Sequence, residues 1–359
     1  MIFDRVVDKI NRGQLGLNKG LPMGFDRLVQ FIPGIQQGTY YLVGGETGSG
    51  KTAFTDDAFL YNPYDWYKNS DTGIKLKVFY WSLEIDKEIK MTKAICRRLL
   101  LQYGLVTDIN YVLSRGKNRI SQEIYDAVCT TKDHFYEMED ILTIIDENIN
   151  PTGVNKFMLD YARANGKITK KEVFNGQKNI EIFDKYDPHN PNEYVIIVID
   201  HISLMKRERG MNVKENIDKM TEYLIPLRNN FNYIPVVVQQ LNRSNTSADR
   251  FKMDMIEPKL SDFKDTGNTQ QDANVIMTLF SPRRHEVQDF RGYDITKLKD
   301  RFRSVSILKN RDGEADVRIG LQFVGEVGYF RELPKASVFK GRDDLYRDVV
   351  ELKNILKNE

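Results

Sequence analysis

Gly45-Glu46-Thr47-Gly48-Ser49-Gly50-Lys51-Thr52 is the stretch on which the fold turns. It satisfies the pattern G-x-x-x-x-G-K-[ST]. In that pattern the glycines let successive backbone N–H groups point at a nucleotide β-phosphate, and the following helix offers its positive end. Lys51 would reach the β- and γ-phosphates and Thr52 would hold Mg2+, so ATP and Mg2+ are the expected cofactors. The surroundings suit such a loop. Tyr40-Tyr41-Leu42-Val43 reads as a short buried strand ahead of it, and the chain from Thr52 onward reads as a helix.

Working outward, Val78 to Leu83 reads as a second buried strand, and Tyr194 to Ile199 as one buried on both faces. Ile234 to Val238, Val275 to Leu279 and Val305 to Leu308 follow. A mostly helical stretch over 85–165, with a strand at Ile141 to Ile145, and a helix over 213–231 separate them. Strands that alternate with helices predict an α/β fold, a mainly parallel central sheet flanked by helices. Residues 168–186 break the pattern. Lys171 to Phe174, then Asn175-Gly176, then Ile180 to Phe183 predicts a hairpin inserted at the surface. Near the start, Ile2, Phe3, Val6, Val7 and Ile10 make one apolar face of a short amphipathic helix ending at Arg12-Gly13. Leu345, Val349, Leu352 and Leu356 predict a terminal helix.

Composition narrows the class without deciding it. The 359 residues carry a formal charge of +2, with 41% apolar and 29% charged residues, as in a soluble globular protein. Near-neutrality leaves room for a modest basic patch confined to one surface. Cys96 and Cys129 have no metal-like spacing and the four histidines do not cluster, which argues against a zinc or disulfide framework and for a reducing cytosol. The N-terminus is charged throughout, unlike a secretory leader, and no apolar run is long enough to span a membrane.

Three further positions suit an ATPase. Asp200 ends the apolar run Val195 to Ile199, which on a parallel sheet sets it at the C-terminal edge beside the phosphate loop, in place to bind Mg2+. His201 beside it reads as a solvated or core histidine. Glu84 follows Val78 to Leu83 and would emerge at the same edge, where a hydrolase needs a group to position or deprotonate water. Gln239 and Gln240 follow the strand at Ile234, and alternation would direct one of the two into the site as a γ-phosphate sensor.

Together these pieces resemble the motor of DnaB-type (superfamily 4) replicative DNA helicases, a RecA-like fold, over roughly residues 20–330 and in the family's order. Leu21-Pro22-Met23-Gly24-Phe25-Asp26-Arg27-Leu28 is similar to the family's P-T-G-F-x-x-L-D. Ser82-Leu83-Glu84 is similar to S-L-E-M, whose glutamate is the catalytic carboxylate. Ile199-Asp200-His201-Ile202-Ser203-Leu204-Met205 resembles the Walker B element I-D-Y-L-Q-L-M, in a wording like that of phage primase-helicases. Gln240-Leu241-Asn242-Arg243-Ser244 is similar to S-Q-L-N-R-S and so selects Gln240 as the sensor.

Leu260-Ser261-Asp262-Phe263-Lys264-Asp265-Thr266-Gly267 resembles L-S-D-L-R-E-S-G, the central-channel loop. The resemblance implies that Lys264, Asp265, Thr266 and Gly267 hold a single-stranded DNA backbone without reading sequence. Lys309-Asn310-Arg311-Asp312-Gly313 resembles K-Q-R-N-G, whose lysine and arginine reach a neighbouring subunit's γ-phosphate. Departures exist. Glu46-Thr47-Gly48-Ser49 is worded like a generic P-loop. Thr269-Gln270-Gln271-Asp272-Ala273-Asn274 loses one carboxylate of I-E-Q-D-A-D, and the 168–186 hairpin is extra.

The resemblance implies an ATP-dependent helicase, a hexameric ring translocating on single-stranded DNA, with a primase or loader as further partner. It implies a location in the cytoplasm, that of the host if the chain is phage-encoded. Residues 1–20 are expected to form a linker helix in place of the family's collar, 21–335 the motor, and 336–359 a helical tail. A RecA-like recombinase or packaging ATPase is an alternative reading. A helicase-loader or regulatory nucleotide-binding protein is another, of a different class.

Overall fold

The computed structural model describes residues 2–241, 256–266, 269–353 and 355. Its strands are β1 (Tyr41–Gly45), β2 (Lys75–Ser82), β3 (Leu142–Ile145), β4 (Gly166–Phe174), β5 (Asn179–Pro188), β6 (Glu193–Asp200) and β7 (Ile234–Gln240). They continue with β8 (Val275–Phe280), β9 (Asp289–Phe290), β10 (Tyr293–Asp294), β11 (Phe302–Asn310), β12 (Val317–Val324) and β13 (Tyr329–Glu332). Nine of them make one sheet in the order β13-β12-β11-β8-β1-β7-β6-β2-β3. β3, β2, β6, β7, β1 and β8 run parallel. β11, β12 and β13 extend the sheet antiparallel from β8. The expected mainly parallel sheet is therefore present, with an antiparallel flank of which the sequence marks only the strand at Val305.

Strand periodicity builds two cores. Tyr41, Val43, Tyr80, Ile196, Val198, Val236 and Met277 pack on one face, with the helix that follows the phosphate loop and with Leu21 to Ile35. Leu42, Phe79, Trp81, Ile197, Ile199, Val237 and Ile276 pack on the other, under the helices Pro151–Ala164 and Val213–Phe231. Alternate residues of one strand thus serve opposite layers, which explains why these strands read as unbroken apolar runs. Helix Val213–Phe231 starts at a reciprocal cap, Asn212 Oδ1 accepting from Glu215 N and Glu215 Oε2 from Asn212 N. A third core gathers Phe280, Phe290, Phe302, Leu333, Phe339, Tyr346 and Val349, which ties the helix Asp343–Glu351 to the antiparallel flank. Leu356, in the expected terminal helix, lies outside the described residues.

Two expectations change in detail. The hairpin β4–β5 is present but turns through four residues, Asn175 to Lys178, with Asn175 Oδ1 accepting from Gln177 N and Lys178 N. It is thus longer than a two-residue Asn-Gly turn. Its base is anchored, Phe183 and Tyr186 lying 5.6 and 5.0 Å from the Phe231 ring. The first helix runs Ile2–Gln14, and its apolar face is not covered: Phe3 is 73% and Ile10 56% exposed. No helix among the described residues is long and apolar enough to cross a membrane.

Candidate active site

The parallel strands bring the motif residues to one edge. Gly45 at the end of β1 is level with Gln240 at the end of β7. β6 lies next and ends at Asp200, which is level with Ser82 at the end of β2. Neighbouring strands lie about 4.8 Å apart, so the phosphate loop, Gln240, Asp200 and the Glu84 segment succeed one another along one edge. Leu83 N donates to Asp200 O at 2.8 Å, extending the β2–β6 pairing and holding the Glu84 turn beside Asp200. Thr47, Gly48, Gly50, Lys51, Thr52, Glu84, His201 and Gln240 line one cleft of about 530 Å³, which continues past Phe323 and Gly325 to Gly328.

Within the cleft the loop is preformed. Gly50 caps the helix beginning at Lys51 in the left-handed region, φ 97°, where a side chain is strained. Lys51 Nζ donates to Glu46 O at 2.8 Å. Burial holds the Lys51 ammonium below its usual pKa, opposed by the carboxylates of Asp200, Glu84 and Glu46. A polyanionic ligand would oppose that shift further and favour the cation. Gln240 Nε2 donates to Thr47 Oγ1 at 2.6 Å, whereas Gln239 is buried. Of the two glutamines, Gln240 is the one that meets the phosphate loop. His201 Nδ1 bonds Ser203 Oγ at 2.8 Å, and burial lowers its pKa against the pull of Asp200 and Glu84.

Asp200 is 3% exposed. Tyr80 Oη donates to Asp200 Oδ2 at 3.2 Å, and Oδ1 is buried without a hydrogen bond from the described residues. A buried carboxylate oxygen left in this state is costly unless a ligand completes it. The Thr52 hydroxyl and Asp200 form an oxygen-donor pair suited to Mg2+, which takes one or two protein oxygens with water and phosphates for the rest.

Side chains far along the chain also grip the loop, and the sequence reading missed them. Arg284 Nη1 donates to Thr47 O, and His285 Nε2 lies 3.0 Å from Glu46 Oε2. Arg303 Nε donates to Ser49 O at 3.2 Å, and burial lowers the Arg303 pKa to about 10. The one available signal was the run Arg283-Arg284-His285 directly after the end of β8, the strand that flanks β1.

Lys309 and Arg311 lie elsewhere. β11 is antiparallel to β8, with Lys309 paired to Ile276 and Asn310 to Val275, whereas Leu279 is level with Gly45. They therefore sit about 10 Å or more toward the opposite edge, two strands away from β1. There Lys309 Nζ donates to Gln270 O at 2.7 Å and Gln271 O at 3.0 Å, and Arg311 Nη2 to Gln271 O at 2.7 Å. Both cations thus meet the carboxyl end of the short helix Thr269–Asp272. This chain's own phosphate loop is out of their reach.

Leu260–Thr266 is a 3-10 helix whose Phe263 packs directly on β1. A Cβ added to Gly44 would collide with the Phe263 ring, so only glycine permits this approach. Asp262 Oδ2 accepts from Lys259 N at 2.8 Å. Gly267 lies outside the described residues, as do the side chains of Lys264, Asp265 and Thr266 and the segment Asn242 to Ser244.

The strand order, with the phosphate loop on β1, one strand between it and the Asp200 strand, and helices on both faces, defines a RecA-like P-loop ATPase fold. Comparison with known proteins agrees. The ATPase domain of a phage helicase aligns with TM-score 0.67 at 18% identity, over 92% of this chain and 98% of that one. A DnaB-like replicative helicase, solved in a study of its interactions with primase, aligns with TM-score 0.64 at 19% identity, over 88% of this chain and 64% of that one. Residues 184–332 match the family model described as the DnaB-like helicase C terminal domain. The replicative DNA helicase DnaB of Mycoplasma pneumoniae is 24% identical over 333 residues, 91% of this chain and 60% of that protein. The Helicobacter pylori protein of the same name is 23% identical over 301 residues, 83% of this chain and 50% of its own length. The chain carries a DnaB-like helicase C-terminal domain, and it spans 50–60% of the length of these relatives.

Proposed function

We propose that this chain is the motor of an ATP-driven replicative DNA helicase, a single-strand translocase that works as a hexameric ring. The observation that carries the reading is a division of the site. Lys51, Thr52, Glu84, Asp200 and Gln240 surround one cleft, while Lys309 and Arg311 lie at the far edge of the same sheet. A cleft that lacks a cation from its own chain is completed when the far edge of one subunit meets the near edge of the next.

In this reading, successive N–H groups from Glu46 to Thr52 bind the phosphates of ATP and Lys51 neutralises the β- and γ-groups. Thr52 and Asp200 hold Mg2+, which draws charge from the phosphate oxygens. Glu84 orients and deprotonates the attacking water, and Gln240, bonded to Thr47, reports the γ-phosphate to the loop. Lys309 and Arg311 of the preceding subunit offset charge on the transferring group. The 260–267 loop, Lys264 above all, follows the DNA backbone. The uncovered face of helix Ile2–Gln14 supports docking on a neighbouring subunit, with a primase or loader as further partner.

A forked duplex with one labelled strand tests the reading. The purified protein with ATP and Mg2+ should displace the strand, and single-stranded DNA should raise its ATP turnover. A protein that binds nucleotide as a monomer, ignores DNA and displaces nothing would be a loader or regulatory ATPase instead.

A further inference from the structure

Behind the cleft lies a row of buried polar side chains to which the reading above gives no part. The helix after the phosphate loop passes from Lys51–Asp56 into a π turn, Asp57–Tyr61, and both Asp56 and Asp57 are buried. Lys90, 2% exposed, donates to both Asp56 oxygens at 2.8 and 3.0 Å, and its ammonium lies 3.6 Å from the centre of the Tyr80 ring. The Tyr80 hydroxyl bonds to Asp200 Oδ2 at 3.2 Å and also interacts with the Asp56 carboxylate. The row thus runs Lys90, Asp56, Tyr80, Asp200, and it ends where Asp200 Oδ1 has no bond from the described residues.

We propose that Lys90, Asp56 and Tyr80 are positioning residues that fix the Asp200 carboxylate through one oxygen, so that the other faces the magnesium ion of bound MgATP. The proposal rests on the assignment of Asp200 to Mg2+ under the proposed function.

Packing alone does not account for the row. A buried ion pair brings little net stability, and apolar side chains of similar volume fill such a site as well or better. A phenol between two carboxylates gains a role where one of them must hold a fixed rotamer, as outer hydrogen bonds do around metal ligands. The row also joins three elements that must keep register. Asp56 belongs to the helix opened by the phosphate loop, Tyr80 to β2, and Lys90 to the helix Lys87–Tyr103 that follows Glu84. The neighbouring pair Arg97–Asp57 gives an internal contrast. Asp57 accepts from Arg97 Nε at 2.5 Å and from Phe330 N at 2.7 Å, closing on backbone away from Asp200.

The test is equilibrium binding of a fluorescent ADP analogue, first in EDTA and then across a Mg2+ titration. Tyr80→Phe keeps the ring over Lys90 and deletes only the hydroxyl. Its affinity in EDTA and its melting temperature should match wild type, while the Mg2+ concentration at half-effect should rise about tenfold. The double variant Asp56→Leu, Lys90→Met, which removes the pair together, should move the same midpoint in the same direction. A Tyr80→Phe protein with wild-type Mg2+ dependence overturns the proposal. A wild-type protein whose nucleotide binding ignores Mg2+, or an Asp200→Asn variant that titrates like wild type, overturns the assignment of Asp200 itself. The two failures are therefore distinguishable.

Discussion

Lys51 and Glu84 share the cleft but do different work, so their variants should fail differently. Lys51→Ala removes the ammonium that lies among Glu46, Glu84 and Asp200. It should lower ATP turnover by about 10²-fold or more and weaken binding of the triphosphate. Glu84→Gln keeps the shape and loses the base. It should bind ATP with near wild-type affinity while turnover falls by about 10²- to 10⁴-fold. Steady-state hydrolysis and filter binding measure both. Near-normal turnover in Lys51→Ala would remove the ATPase assignment, whereas near-normal turnover in Glu84→Gln would move only the base elsewhere.

Among the elements, the 3-10 helix Leu260–Thr266 has the most telling neighbour. Phe263 rests on Gly44, one residue before the phosphate loop begins, so the segment assigned to DNA touches the strand that carries the nucleotide site. Lys264→Ala should weaken single-stranded DNA binding alike on different base sequences. It should also flatten the salt dependence by about 0.7 for each phosphate that is no longer neutralised, with basal ATPase retained. DNA affinity unchanged across a salt titration would take the loop out of the binding surface.

Elements also differ in how far the sequence makes them legible. Asp200, Gln240 and Glu84 stand at or just after the ends of apolar runs, and parallel strands send such ends to one edge, so short-range pattern was enough. Arg284, His285 and Arg303 reach the loop from more than two hundred residues away, and no local period records such a meeting. Asp56-Asp57 reads as a solvent face at helical spacing. The π turn brings both inward, to Lys90 and Arg97. β12 and β13 went unread because their partners are antiparallel neighbours in a flank that no motif marked.

For the whole molecule, the central claim is that Arg311 acts on a neighbour. Its strand runs away from this chain's own phosphate loop, and its guanidinium meets Gln271 O at the opposite edge. Arg311→Ala should therefore lose turnover by about 10³- to 10⁵-fold while its own cleft still binds ATP. Mixing it with Lys51→Ala subunits is the most direct measurement. In a randomly mixed ring about a quarter of the interfaces join an intact phosphate loop from one variant to an intact Arg311 from the other. With subunit exchange confirmed by labelled protein, the mixture is predicted to hydrolyse ATP well above either variant alone. A mixture that exchanges freely and stays as inactive as its parents would contradict the claim.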